Sequence, residues 1–196
     1  MTVKVYLFDL DDTLISTKIY AEIYEPILKM VKKKLKLTDI QLDQKAKELG
    51  LEKNKFNRWD TGDLCRELHL LEEYYKVLEE QIQVMPVLHD NVLQLFQKLK
   101  KQKKTIAIIS NSMIRTIKAY VNKYELNQYV NFIYSRDDAG CKKSDEHYWK
   151  KLIESHHLKI EECLIVGDDH KQDILIPQKL GFKTFLIENP EDLNSL

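Results

Sequence analysis

Five short apolar runs, residues 3–8, 105–110, 131–135, 163–166 and 183–187, constrain the fold more than any other feature of this chain. In the first, Val3, Val5, Tyr6, Leu7 and Phe8 make a stretch rich in β-branched and aromatic side chains that stops at an acidic cluster. Such a run suits a strand buried on both faces of a parallel sheet. The gaps between successive runs contain segments of helical period and length. Strands alternating with helices predict an α/β fold, a Rossmann-like parallel sheet with helices on both faces, in which ligands sit beyond the carboxyl ends of the strands.

One interval breaks the alternation. More than 90 residues separate the first run from the second, and a crossover helix needs only roughly the last 18 of them. From about residue 17 to residue 83 the sequence is charged and helix-favouring, with apolar spacings at Ile23, Ile27, Leu28 and Val31, and again at Leu64, Leu68, Leu71, Tyr75 and Leu78. The expected organisation is an α/β core over 1–16 and 84–196 and an inserted, all-helical module of about three to five helices over 17–83. Met85-Pro86 would close the insertion, and Asp90 would cap the crossover helix that follows.

A chain of 196 residues has room for such a core and a small module. Its 31 Lys and Arg balance 31 Asp and Glu, so no global field draws it to nucleic acid or to an acidic membrane, and neither is expected as a partner. Cys65, Cys141 and Cys163 lack any metal-site spacing and read as reduced thiols. The amino-terminal apolar stretch is interrupted by charge, and no later segment approaches about 18 apolar residues. A soluble, cytoplasmic protein is expected, as a monomer or weak homodimer.

Four signatures carry chemistry. Asp9-Leu10-Asp11-Asp12-Thr13 follows the first strand, and a turn there lets Asp9 and Asp11 reach one site. Such a pair suits phosphoryl transfer: one carboxylate attacks phosphorus while the other protonates the leaving oxygen and then activates water. An acidic turn or a helix start would look the same. The second strand runs into Ser110, Asn111 and Ser112, where Ser110 and the Asn111 backbone N–H can donate to a phosphate oxygen, or simply cap a helix. After the third strand, Lys142 or Lys143 can place an ammonium against a negative substrate. After the fourth, Gly167 leads into Asp168, Asp169 and Asp173, hard oxygen ligands that suit Mg²⁺. His170 has no second histidine at ligand spacing, which weighs against zinc.

The order of these signatures, at successive strand ends, is more specific than any one of them. On Phe8 through Leu14, Ile109-Ser110-Asn111, Lys143, and Gly167-Asp168-Asp169 with Asp173, the chain resembles the haloacid dehalogenase superfamily, in its phosphatase branch with a helical cap inserted after the first strand. The resemblance implies that Asp9 is the nucleophile, that Asp11 is the acid/base and that Thr13 steadies the loop. It further implies that Ser110 and Lys143 hold the phosphate, and that Asp9, the Asp11 carbonyl and Asp168 hold Mg²⁺. Asp169 or Asp173 would assist through water or by anchoring Lys143. Two departures stand out: Ser144 follows Lys143 where relatives commonly carry proline, and Gln102-Lys103-Lys104 lacks the glycine often found before the second strand. Counting from Gly140 to Trp149 favours Lys143 over Lys142. The presence of Asp11 argues against dehalogenation.

The expected activity is Mg²⁺-dependent hydrolysis of a small phosphorylated metabolite. A phosphomutase would use the same Asp9 and reveal itself by dependence on a bisphosphate, and a binding or regulatory protein would usually have lost an acidic position. For the cap, Arg58 can bind a substrate anion and Trp59 can stack on a base, or the pair can belong to a surface loop with one anchoring tryptophan. The cap helices are expected to close over the core and exclude water.

Overall fold

The computed structural model describes residues 2–54 and 56–196, in which the chain divides into two compact units, Met1–Thr17 with Val87–Leu196, and Lys18–Pro86. The first unit is built on five parallel strands: β1 (Val5–Phe8), β2 (Thr105–Ser110), β3 (Phe132–Ser135), β4 (Cys163–Gly167) and β5 (Lys183–Leu186). Their spatial order is β3-β2-β1-β4-β5. β1 is central, with Phe8 level with Ile108 on one side and Val166 on the other. From β1 the chain first builds outward through β2 to β3, then returns to lay β4 and β5 on the opposite side. The reversal makes the carboxyl end of the β1/β4 pair the switch point, where the crossovers from β1 and from β4 leave in opposite directions and open a crevice.

Alternation along the strands fills both faces. Leu7, Ala107, Ile109, Cys163 and Ile165 share one buried cluster with Tyr148, Trp149 and Leu152, while Phe8 points the other way and packs its ring 5.2 Å from that of Phe96. A parallel sheet with both faces covered explains why the strands read as near-continuous apolar runs rather than as alternating ones.

The second unit is helical: α1 (Lys18–Leu35), α2 (Asp39–Glu48), α3 (Thr61–Glu67) and α4 (Leu71–Val84). In α1, Ile19, Ile23, Ile27 and Val31 recur every fourth residue and are buried, the stripe an amphipathic helix lays against its neighbours. Thr38 and Gln41 form a reciprocal capping box at the start of α2, and Asp60 caps α3. In the first unit the helices are α5 (Val92–Lys101), α6 (Ile114–Lys123), α7 (Arg136–Ala139), α8 (Glu146–His156) and α9 (Ile176–Lys179). The crossover helix α5 is one residue off expectation: Asn91, not Asp90, precedes it, and Asn91 spends its amide on the Pro190 carbonyl, 2.6 Å away, instead of capping. No helix among the described residues is long and apolar enough to cross a membrane, and Cys65, Cys141 and Cys163 are free.

Candidate active site

Asp9 is the first residue beyond β1. Its backbone N–H donates to the Val166 carbonyl at 2.8 Å, which extends the ladder by one step and delivers the carboxylate to the switch point. The next residues form a tight turn. Leu14 and Ile15 donate to the Leu10 carbonyl at 2.9 and 3.0 Å, and Leu10, Leu14 and Ile15 are fully buried beneath it. Asp12 takes a left-handed φ of 55° in this turn, and its carboxylate accepts from the backbone N–H and hydroxyl of Thr17. The turn thus brings Asp9 and Asp11 to the cleft, and Asp12, which also lines it, closes the turn through Thr17.

The structure separates the paired lysines. Lys142 is exposed and Lys143 is 2% exposed. The Lys143 ammonium donates to Asp9 and, at 2.6 Å, to Asp173. Its backbone is fixed as well: the N–H donates to Asn111 Oδ1 at 2.7 Å and the carbonyl accepts the Trp149 indole N–H at 2.9 Å. Burial alone would lower the ammonium's pKa, but Asp9 and Asp173 outweigh it and the net movement is upward. Lys143 is therefore a fixed cation.

The carboxylates around it are crowded. Oxygens of Asp9, Asp168 and Asp173 lie within 4.8 Å of one another. Burial pushes the Asp9 carboxyl well above the usual carboxylate range; Lys143 pulls it back, and Asp173 and Asp11 push it up again. Burial, then the nearby Asp173 and Asp12, lift Asp168 to about 6. Thr13, fully buried, donates to Asp168 at 3.4 Å. Gly167 is required here because a Cβ at that position would overlap the Asp173 side chain.

Ser110, at the end of β2, is fully buried, and its Oγ accepts the Ser112 backbone N–H at 3.0 Å. Ser112 Oγ donates to Asp11 Oδ2 at 2.9 Å. Asp169 caps the π-helical segment His170–Leu175, accepting from the backbone of Lys171 and Gln172 at 2.9 and 2.8 Å. These bonds hold its carboxyl below the ordinary range even though burial acts in the opposite sense. A cleft of about 190 Å³ is lined by Asp9, Asp11, Ser110, Asn111, Lys143, Asp168 and their neighbours.

Of the residues expected from the sequence, Asp9, Asp11, Ser110, Asn111, Lys143, Asp168, Asp169 and Asp173 line this one cleft, with Thr13 bonded to its edge. The role expected of Asn111 falls on its backbone N–H; its side-chain amide is committed to Lys143 and Gln172. Arg58 and Trp59 belong to the helical unit. Arg58 is exposed, with its guanidinium 5.0 Å from the Tyr24 ring centre. Trp59, for which the sequence allows either a ring offered to a substrate or an anchoring role, is 4% exposed, donates its indole N–H to Asp43 at 3.1 Å, and carries Lys53 over its ring. It anchors that unit. The sequence assigns no role to Ser112, named only as part of the strand end, or to Gln172; the spacing of Asp169 and Gln172 matches a helix-start pattern, the one local signal from which the latter could have been found.

A five-stranded parallel sheet with carboxylates and a buried ammonium gathered at its switch point defines a class of fold, the Rossmann-like α/β proteins. Within it, the chain belongs to the haloacid dehalogenase-like hydrolase family, whose model matches residues 6–187. It is 28% identical to a pyrophosphatase, PpaX, of Bacillus cereus (strain Q1), over 94% of this chain and 82% of that one. Among solved structures it is similar in fold to a haloacid dehalogenase-type phosphatase from Thermococcus onnurineus (TM-score 0.73, 18% identity, 96% of this chain and 86% of that one). It is also similar in fold to the magnesium-bound hydrolase YfnB from Bacillus subtilis (TM-score 0.62, 22% identity, 95% and 87%).

Proposed function

We propose that the chain hydrolyses a small phosphate ester through an aspartyl-phosphate formed on Asp9. The observation that carries this reading is a buried Asp9 at the switch point, ion-paired to Lys143 with Asp173 behind it. In the first step an Asp9 oxygen attacks phosphorus and the ester bond breaks. Asp11, oriented by Ser112, gives its proton to the leaving oxygen. In the second step Asp11 takes a proton from water, which attacks phosphorus and frees Asp9. Ser110 and Lys143 hold the transferring oxygens through a hydroxyl and an ammonium, and the Asn111 backbone N–H is assigned the same duty.

The donor set fits Mg²⁺. Hard carboxylate oxygens of Asp9, Asp168 and Asp173 converge within 4.8 Å, and Asp168 is lifted to about 6 by burial and then by its neighbours, a position relieved by a nearby cation. Asp9, the Asp11 carbonyl and Asp168 would hold the ion, with Asp169 and Asp173 supporting. When bound, it supplies positive charge between the carboxylate nucleophile and the phosphate dianion. The helical unit, 17–83, is assigned the role of a cap that selects the leaving group, with Arg58 as its anion contact; core duties fall to 1–16 and 84–196.

A phosphoanhydride is the second candidate substrate, favoured by the likeness to a pyrophosphatase. Phosphate release should be measured from p-nitrophenyl phosphate, sugar phosphates, nucleotides and pyrophosphate, with Mg²⁺ and after exhaustive chelation. Turnover on at least one compound, lost on chelation, supports the reading. Turnover that survives chelation overturns the metal assignment, and no release from any of them overturns the activity.

A further inference from the structure

We propose that Gln172 is a positioning residue for this site, whose side-chain amide closes a ring of hydrogen bonds that fixes Lys143 against Asp173. The ring starts at the Lys143 backbone N–H, which donates to Asn111 Oδ1 at 2.7 Å. Asn111 Nδ2 donates to Gln172 Oε1 at 2.9 Å, and Gln172 Nε2 donates to Asp169 Oδ2 at 2.8 Å. The Asp169 backbone N–H donates to Asp173 Oδ2 at 3.2 Å. Asp173 Oδ1 accepts the Lys143 ammonium at 2.6 Å. The circuit leaves from the lysine's main chain and returns to its side chain.

Three loops, following β2, β3 and β4, are joined by this circuit, although residues 111, 143 and 172 are far apart in sequence. Its direction is forced by its chemistry. A backbone N–H can only donate and a carboxylate can only accept. Asn111 must turn its oxygen to Lys143 and so its NH2 to Gln172; Gln172 must then present its oxygen to Asn111 and its NH2 to Asp169. Position 172 therefore needs a group that accepts at one end and donates at the other, at glutamine's length. Glutamate keeps the shape but sets a carboxylate against Asp169. Methionine keeps the bulk and makes neither bond. Asparagine is one methylene short.

The consequence reaches the reacting atoms through Lys143. Its ammonium stands between Asp9 and Asp173, so any freedom in the loop carrying Asp173, or in the Lys143 main chain, becomes misplacement of the cation beside the nucleophile. Removing a partner that orients a residue in contact with the chemistry typically costs about 10–100-fold. This kinetic consequence rests on the phosphoryl-transfer reading, whereas the ring itself does not.

The experiment uses the full chain and two readouts. Hydrogen exchange at the Lys143 backbone amide, followed by NMR, should quicken at least about tenfold in both Gln172→Met and Gln172→Glu, while the amides of Ile108 and Ile165 in the sheet keep their protection. With p-nitrophenyl phosphate and Mg²⁺, kcat for Gln172→Met should fall about 10–100-fold, with KM moving less than about threefold. The Asn111→Ala, Gln172→Met double variant should be no slower than Asn111→Ala, because either change opens the same ring. Unchanged Lys143 exchange in both single variants, or losses that multiply in the double variant, would overturn the proposal. A wild-type chain that releases no phosphate would instead count against the phosphoryl-transfer reading, and the exchange result would still decide the ring.

Discussion

At the carboxyl end of the sheet, three carboxylates crowd within 4.8 Å of one another beside one buried ammonium; at the amino end, charges are met singly and near solvent. Lys4, just before β1, pairs with Glu162, just before β4, at 2.6 Å. Lys104, just before β2, donates to the Val3 carbonyl at 2.5 Å. The contrast separates two uses of the same fold. The amino end is arranged for stability, and the carboxyl end holds like charges together, a repulsion that Lys143 offsets only in part and that a bound cation would relieve further. Substitutions that relieve the carboxyl end should lose activity without losing the fold, and those that improve the amino end should change stability alone.

The largest effect should come from Asp9→Asn. The amide is nearly isosteric but is not a competent nucleophile, so turnover of p-nitrophenyl phosphate should fall below about a few per cent of wild type. The melting temperature should hold or rise, since one carboxylate of the crowded set is gone. Activity near wild type would place the attacking group elsewhere. Next in size is Lys143→Ala, expected to lower kcat/KM by about 10²–10³ by stranding negative charge in a partly dehydrated site. Exposed Lys142→Ala should cost less than about tenfold. The reverse pattern would detach the buried lysine from the chemistry.

Much of this was legible in the sequence for an identifiable reason. Strands of a sheet covered on both faces are mostly apolar, and Asp9, Ser110, Asn111 and Asp168 sit directly at their ends, so composition and position coincide there; Lys143 comes later, beyond α7. Boundaries were less legible. The first run begins at Val3, but β1 starts only at Val5, where Thr105 and Cys163 stand ready as neighbours. Asn131 falls outside β3 because it meets Ile106 partly through its side chain, Oδ1 accepting the Ile106 N–H at 2.9 Å. Choices made by distant partners left little local trace. Trp59 became an anchor because Asp43 and Lys53 fold around it, and Gln172 took its role from Asn111, 61 residues away.

A third test separates stability from function at one residue. Asp168 is pushed to about 6, by burial first and then by Asp173 and Asp12. The folded chain therefore holds this proton more tightly than the unfolded chain, whose carboxylates titrate near about 4. The group favours the fold below that range; its contribution is lost as pH rises and stands fully against the fold above about 6. In protein stripped of divalent cations at pH 7.5, Asp168→Asn should raise the melting temperature by about 2–4 °C, allowing about 1 kcal/mol because the carboxylate, though crowded by its neighbours, still reaches solvent and is screened there. About half that gain should remain at pH 5. Saturating Mg²⁺ should return the advantage to wild type, because binding to the folded state alone stabilises it. Calorimetry with and without chelator decides it, and a variant less stable than wild type without cation would contradict the crowding.

The smallest effect belongs to the amino end, at the turn that lacks the family's usual glycine. After α5, Lys103 N–H donates to the Lys100 carbonyl at 2.9 Å and Lys104 N–H to the Leu99 carbonyl at 3.0 Å, the paired closure in which the residue just past the helix is left-handed. Here that residue is Lys103, at φ 56°. A side chain with a Cβ is strained by roughly 1–2 kcal/mol in this conformation, and glycine is not, although glycine also gives the unfolded chain about 0.5–1 kcal/mol more entropy to lose. Lys103→Gly should therefore stabilise by about 0.5–1 kcal/mol and raise the melting temperature by about 1–3 °C. Lys103→Ala, which keeps the Cβ, should show no such gain. The side chain is exposed and the turn lies at the opposite end of β2 from Ser110, so kcat and KM should stay at wild-type values in both variants. A gain shared by alanine would trace the effect to charge rather than to backbone conformation, and a change in kcat would show that the two ends of the sheet are coupled.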